Sequence, residues 1–430
     1  MEYNELKDTD AIWIPKIPEH WDLIKVRHLF KESSVKGFPN EPLLVASQEH
    51  GVVNKEVFGK RTMEATKDLQ NLKLVEEGDF VISLRSFQGG IEYAHQRGII
   101  SPAYTIIKAL RPINKRYFKH LFKSKPFISL MTLCVKGIRD GQNIDFPTFK
   151  GEYLPLPPIE EQAKIGAYLD RKTQQIQEFI QKKERLIELL EENRLRKILE
   201  LITGKQGFNS YKDSEIDHFG EIPSHWEVKK LNLICKVTLG KMLCNENKGN
   251  YHYKKYLKSK NIGWENVILD EVDSMWFSKS EMKTYRIQKN DLLVSEGGEV
   301  GKTCLWKNEL EECYIQNSVH KLTFNKDCNP IYYQYLFLIL GKGGYFKSIV
   351  NQVSIAHLTR EKLVKIKCLV PPIEEQDLIS NNIEILNTEV AELISKARLE
   401  IDKSKEYQES LITQMITGQL KVPENSYTAV

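Results

Sequence analysis

The hexapeptide Pro-Pro-Ile-Glu-Glu-Gln stands at Pro157–Gln162 and again at Pro371–Gln376. Each copy opens a long charged segment, and each segment closes on Ile-Thr-Gly, at Ile202–Gly204 and Ile416–Gly418. The opening and closing marks are displaced equally (157 to 371, 202 to 416), so the two segments have one length. A loop tolerates insertions. A helix that sets a distance does not, because one added residue moves its far end by about 1.5 Å and turns it by about 100°.

The punctuation agrees with a helix. Pro-Pro can precede or begin a helix but cannot sit inside one. Glu160 and Glu161 fall in the first turn, where negative charge suits the helix dipole. Gly204 and Gly418 stand where a left-handed C-terminal cap belongs. In the second segment Ile383, Leu386, Val390, Leu393, Ala397, Ile401, Leu411 and Met415 recur mostly at steps of three and four, an apolar stripe on one face. The first segment matches at Leu169, Ile176, Phe179, Ile187 and Leu201, with Lys183 and Arg194 interrupting the stripe. A helix of about 45 residues is about 65 Å long. It is too charged to cross a membrane and too long to be buried alone, so the two are expected to pack on each other.

A second repeat frames the first. Lys7–Trp21 and Lys212–Trp226 share Ile-Pro-x-His-Trp, at Ile17–Trp21 and Ile222–Trp226. The whole chain is therefore a tandem duplication, with nine more residues between these marks in the second half (7 to 212 against 157 to 371). Each half is an opening motif, a variable body and a helix. The openings and helices are alike while the bodies have diverged, the pattern of a shared scaffold carrying two different inserts.

At 430 residues there is ample core for two to four units. The net charge is only +4, with 62 basic residues offset by 58 acidic ones, so the distribution of charge matters more than its sum. The acidic start Met1–Asp10 has no secretory or transit character, and no run of 18 apolar residues occurs. Seven cysteines, none in a C-x-x-C pair, read as reduced thiols in a cytoplasmic protein.

The bodies read as mixed α/β. In the first, Leu43–Ala46, Asp79–Leu84 and Ala103–Lys108 are expected strands, and Gly78-Asp79 a turn feeding one of them. Arg116–Phe122 and Lys125–Cys134 are expected helices. In the second, Asp291–Ser295 corresponds to Asp79–Ser83, Val319–Phe324 is a further strand, and Pro330–Leu340 is an aromatic-rich helix. Lys205–Lys212 is a polar joint, and Asn425–Val430 a frayed tail.

Catalytic signatures are missing. There is no G-x-x-x-x-G-K-[ST] loop, no G-x-S-x-G elbow, no H-E-x-x-H and no adenine-methyltransferase tetrapeptide. Asp273 with Glu281-Met282-Lys283 is only a faint nuclease-like carboxylate set. His20 and His225 recur symmetrically beside tryptophan, which favours a structural role.

Each body instead has a Gly-rich polar turn after the matched strand, Ser83–Gly90 in the first and Ser295–Lys302 in the second. Glycine lets a backbone approach a sugar-phosphate strand closely. In a major groove arginine bonds guanine bidentately, glutamine bonds adenine, and a carboxylate accepts from cytosine. Candidate DNA contacts in the first body are thus Arg85, Ser86, Gln88 and Gly89, with Arg139, Gln142 and Asn143 from the stretch Arg139–Asn143. In the second they are Glu296 and Lys302, then Lys241 after Gly240, and Lys254, Lys255, Lys258 and Lys260 in Tyr251–Asn261, where basic and aromatic residues interleave. The alternative reading is a tight turn without a ligand and a solvated basic face. Glu296 and Glu299 argue against a simple phosphate cradle in the second turn, and favour cytosine contact or a structural hydrogen bond.

These residues carry a resemblance. The paired P-P-I-E-E-Q helices, the paired I-P-x-H-W openings, and bodies such as Val81–Gly90 with Gly98–Tyr104 resemble the DNA-specificity (S) subunit of a type I restriction–modification enzyme. The likeness covers essentially the whole chain. It implies an α+β fold of two α/β target recognition domains separated by two long helices, which form an antiparallel coiled coil in a pseudo-two-fold tandem duplication. On that scheme residues 1–156 are the first recognition domain, 157–204 the first spacer helix, 205–221 a linker, 222–370 the second recognition domain, 371–419 the second spacer helix and 420–430 a tail. The resemblance further implies a subunit that is not itself catalytic. Each domain would read one half of a bipartite, asymmetric site on double-stranded DNA. The helices would act as a ruler and bind two modification (methyltransferase) subunits, and restriction (motor–nuclease) subunits would join that core. The chain would carry no cofactor, with S-adenosylmethionine, ATP and Mg confined to the partners. A coiled-coil adaptor for proteins and a self-contained DNA-modifying enzyme are the competing expectations.

Overall fold

The computed structural model describes residues 3–58, 68–136, 143–205, 207–350 and 357–424. The chain divides into two compact units, residues 1–184 with 398–430, and residues 185–397. The division passes through both long helices, Ile159–Ile202 and Ile373–Ile416, which are equal at 44 residues each. Each unit thus owns one end of each helix.

In the first unit a four-stranded antiparallel sheet has the order Phe30–Ser33, Thr105–Ala109, Phe80–Ile82, Glu92–Tyr93. In the second the order is Cys235–Leu239, Val319–Phe324, Leu292–Ser295, Thr303–Leu305. Order and direction are the same, and in each sheet the last of the four strands in sequence stands second. The expected strands in each body are therefore found, shifted by a residue or two. The bodies diverge outside this sheet. The first has the hairpin Leu44–Ser47 with Gly51–Asn54, and the second a three-stranded sheet of Asp273–Phe277, His252–Leu257 and Tyr314–Ile315.

Helices close one face of each sheet. In the first unit Lys115–Leu121 and Lys125–Leu133 pack into a cluster with Phe30, Phe80, Phe118, Phe122 and Phe127, whose rings meet edge to face or tilted. In the second, Pro330–Lys342 is buried nearly all round, as its aromatic and aliphatic run requires.

The long helices run antiparallel where they meet within each unit. In the first, Ile165 and Leu169 share a core with Leu411, Met415 and Ile416, and Lys183 pairs with Glu400. In the second, Ile198 and Ile202 share a core with Ile379, Ile383, Leu386, Val390 and Ile394, and Arg194 Nε donates to Asn387 Oδ1 at 2.6 Å. Lys183 and Arg194 do sit at the seam as expected, and each finds a partner there. Arg194 also bonds Glu265 of the recognition body, so this charge is satisfied on two sides. Two stripe positions are corrected. Phe179 and Leu393 are 41% and 49% exposed, and their neighbours Ile180 and Ile394 are buried instead. With 3.6 residues per turn, the face that a stripe covers drifts by one residue along a helix this long.

The repeated motifs meet at one junction in each unit. The end of one long helix, the start of the other and the opening motif converge. Gly204 is left-handed (φ 63°), and an added Cβ would lie 2.7 Å from Pro223 Cγ and 3.0 Å from Trp226. Gly418 (φ 70°) stands likewise against Pro18 and Trp21. Glu375 accepts from His225 Nε2 and Trp226 Nε1, both at 2.7 Å. Glu161 pairs with His20 at 2.8 Å and accepts from Tyr3, so here the buried Trp21 Nε1 has no partner among the described residues. The last residue of the hexapeptide ties the helix to the body. Gln162 Oε1 accepts from Asn114 N at 2.9 Å and Nε2 donates to Pro157 O, and Gln376 repeats both bonds with Asn329 N and Pro371 O. The carbonyl of Ile416 accepts from Tyr117, that of Ile202 from Tyr332, satisfying helix-end groups that have no partner within the helix. The glutamate and glutamine that end each hexapeptide thus hold these joints, and His20 and His225 are bonded into them.

Candidate nucleic-acid interface

In each unit two strand ends of the matched sheet meet the end of one strand from outside it. In the first they are the ends of Leu44–Ser47 and Phe80–Ile82 and the approach to Thr105. In the second they are the ends of His252–Leu257 and Leu292–Ser295 and the approach to Val319. These segments are far apart in sequence and meet only in the folded chain.

In the first unit they enclose a cleft of about 530 Å3, lined by Ala46, Ser47, Gln48, Glu49, Ser83, Leu84, Arg85, Gln88 and Tyr104. Arg85 and Gln88 are brought together here, as expected, and both are exposed. Ser86 is corrected. It is buried, and its Oγ accepts from Ser83 N at 2.9 Å, so it holds the turn from within rather than facing a ligand. Gly89 is close-packed, and a Cβ there would fall 2.6 Å from the Gln48 side chain. Gln48, Glu49 and Tyr104 were not singled out from sequence. Arg139 and Gln142 lie outside the described residues. Asn143 begins a two-residue strand paired with Val135–Lys136.

In the second unit the edge has different chemistry. Glu296 is half-buried, and burial raises its carboxyl above the usual range against the pull of His357. Ser259 Oγ donates to Ser318 O at 3.0 Å, and Gln316 Oε1 accepts from Ser318 N at 3.1 Å. The expected free basic face is corrected. Lys241 pairs with Glu281, Lys254 with Glu312, Lys258 with Asp273 and Lys260 with Glu271. Lys302 pairs with Glu299 at 2.8 Å, and Glu299 also accepts from Trp264, so that glutamate makes the structural bond. The lysine hydrogen bonds hold Asp273 and Glu271 below the ordinary carboxylate range. Asp273 and Glu281 thus serve different lysines and form no carboxylate set. Among these lysines Lys255 alone is exposed without an acidic partner among the described residues. The acidic partners come from a strand, a helix and loops elsewhere in the body, and linear sequence gives no sign of the pairing.

Below each edge the matched aspartates, Asp79 and Asp291, cap their turns by accepting from Glu76 N (2.9 Å) and Gln288 N (2.8 Å). Burial raises both above the ordinary range. Among the described residues no helix is long and apolar enough to cross a membrane.

Residues 29–189 and 223–403 match the family described as type I restriction modification DNA specificity domain. The MjaVIII type I restriction enzyme specificity subunit of Methanocaldococcus jannaschii is 23% identical over 426 residues, covering 95% of this chain and 94% of that one. The MjaIX specificity subunit of the same organism is 27% identical over 260 residues, 55% of this chain and 56% of its own. Among solved structures, a chain from work on complex assembly and conformational transition of the type I R-M system has a TM-score of 0.71 at 16% identity, covering 94% of this chain and 99% of that one. The HsdS subunit from Thermoanaerobacter tengcongensis has a TM-score of 0.57 at 15% identity, covering 94% and 98%.

Proposed function

Since the chain belongs to the type I restriction–modification DNA specificity family and carries two DNA specificity domains, we propose that each unit reads one half of a bipartite, asymmetric duplex site through the edge described above. One observation carries this reading. The matched sheet in each unit leads into a polar turn at the same end, and the side chains around that turn differ: Gln48, Arg85 and Gln88 in one, Lys258, Ser259 and Glu296 in the other. Equal scaffolds with unequal readers suit a site whose halves differ in sequence. Phosphate contacts position such a protein and base-edge contacts specify. Lys241, Lys254, Lys258, Lys260 and Lys302 are already paired within the protein and contribute little counterion release, which leaves Lys255 to do so.

The chain is a reader, and methyl transfer and cleavage belong to partners. Modification subunits are expected to dock on the long helices, and restriction subunits on that core. In support, Leu378, Ile385 and Leu393 of the second helix are exposed in the second unit. A groove of about 590 Å3 there is lined by Leu201, Phe208, Leu378, Ile379 and Leu386 among others. Apolar side chains on an outward helix face suit a partner helix.

The test is binding of the chain, complexed with its modification subunit, to duplex DNA across a salt series. Affinity should fall steeply with salt, and Lys255→Gln should reduce the slope by about 0.9, one phosphate contact. The double change Lys260→Gln with Glu271→Gln should leave the slope unaltered. Salt-independent binding, or no DNA binding with the partner present, would refute the reading and favour a protein adaptor.

A further inference from the structure

We infer that Gln48 is the base-reading side chain at the centre of the first unit's cleft, and that its amide recognises an adenine in the major groove. The inference rests on the DNA-reading role proposed above and names a residue within it. Gln48 directly follows the strand Leu44–Ser47, and its side chain lines the cleft with Arg85 and Gln88.

Three observations single it out. Its side chain is exposed and makes no hydrogen bond to any described residue, so both the donor and the acceptor of the amide are available. Its backbone is fixed. Lys123 Nζ donates to Gln48 O at 3.1 Å, to Gly89 O at 2.9 Å and to the buried Glu92 at 2.6 Å, and so ties the Gln48 loop to the turn after the central strand. The side chain itself lies in a slot left by Gly89, where a Cβ would come within 2.6 Å of both Cγ and Cδ and 2.9 Å of Nε2. Gly89 has no left-handed φ to explain its glycine, so its missing side chain serves Gln48. A reader must be held in place and yet have free polar atoms, and Gln48 meets both conditions. The amide of glutamine matches the N6 donor and N7 acceptor of adenine with two hydrogen bonds. In the second unit, Lys258, which directly follows the strand His252–Leu257, is paired with Asp273 and presents no free amide.

The experiment expresses the chain with its modification partner and maps the methylated motif across a genome for the native chain, Gln48→Ala, Gln48→Glu and Gly89→Ala. Wild type should give a two-part motif. Gln48→Ala should relax one adenine position in one half, lowering discrimination there roughly 5- to 150-fold, the worth of one bidentate contact. Gln48→Glu should disfavour adenine at that position, since a carboxylate cannot donate to N7. Gly89→Ala should copy Gln48→Ala, because the new methyl displaces the glutamine. The other half should be unchanged in all three. An unaltered motif in both Gln48 variants would overturn the assignment. So would uniformly weaker methylation without relaxation, which marks a backbone contact, or loss of both halves, which marks a scaffold role. A wild-type chain that directs no methylation at all would instead count against the DNA-reading role itself.

Discussion

Gly204→Ala probes the junction on which the second unit is built. The change adds one methyl group. Its Cβ would sit 2.7 Å from Pro223 Cγ, 2.9 Å from Pro223 Cδ and 3.0 Å from Trp226, all in the repeated opening motif. Neither ring can move far, because Trp226 is fully buried and bonded to Glu375. The residue also has φ 63°, which costs a residue with a Cβ about 1–2 kcal/mol. Overpacking a filled site adds about 1–3 kcal/mol. Gly220 separates the two contributions, since it has the same φ of 63° but nothing within 4 Å of an added Cβ. Guanidinium denaturation, followed by tryptophan fluorescence, should therefore show Gly220→Ala losing about 1–2 kcal/mol. Gly204→Ala should lose a further 1–3 kcal/mol, roughly the cost of overpacking. Equal losses would show that the methyl meets no resistance, and that the terminal glycine is there only to turn the chain.

Three further outcomes follow from the same structure. Ser86→Ala should cost about 1 kcal/mol in thermal or chemical unfolding, the worth of its bond to Ser83 N, yet leave the methylated motif unchanged; a relaxed motif would return Ser86 to the list of readers. Burial pulls the Asp170 carboxyl up, but the bond from His120 at 2.8 Å and the charges of Lys119 and Arg116 outweigh it and leave it below its ordinary 3.8. A depressed carboxyl stabilises the fold above that pH and stops doing so as pH falls through its folded value. Asp170→Asn should therefore cost on the order of 1 kcal/mol at pH 7 and progressively less below pH 3.8, and a pH-independent cost would contradict this. Burial pushes Cys134 up to about 11 and Cys235, Cys304 and Cys313 up to about 12, so these thiols should resist iodoacetamide at pH 8 until the chain is denatured. Rapid labelling of any of the four in the native chain would show that it is not buried.

The long helices were legible because their signals are local. Proline, acidic first turns, terminal glycine and a periodic stripe lie within one segment, and duplication supplied a second copy for comparison. Their antiparallel course could be anticipated from symmetry. The single-residue slip at Phe179 and Leu393 could not, because helical drift depends on how the partner helix lies. Lys183 and Arg194 were visible as interruptions, but Glu400, Asn387 and Glu265 become their partners only through tertiary contact.

The candidate interface was half legible. The Gly-rich turns announce themselves, and Arg85 and Gln88 do face the cleft. Ser86 misled because serine inside a tight turn bonds its own backbone. Gln48 went unnoticed because nothing beside it in sequence marks it, and the cleft joins segments roughly 40 residues apart. The lysines of Tyr251–Asn261 misled for the opposite reason. Strand pairing sets Tyr256 opposite Asp273, and a helix and loops bring Glu281, Glu312 and Glu271 beside Lys241, Lys254 and Lys260. A charge cluster read along one strand says nothing about the strand beside it.

The most direct test of the central claim is methylome mapping in a host that expresses the modification partner with this chain, and then with a version whose residues 222–370 come from another family member. The account predicts a two-part motif in which the exchange alters one half and leaves the other half intact. A single continuous motif, or an exchange that alters both halves or neither, would contradict it.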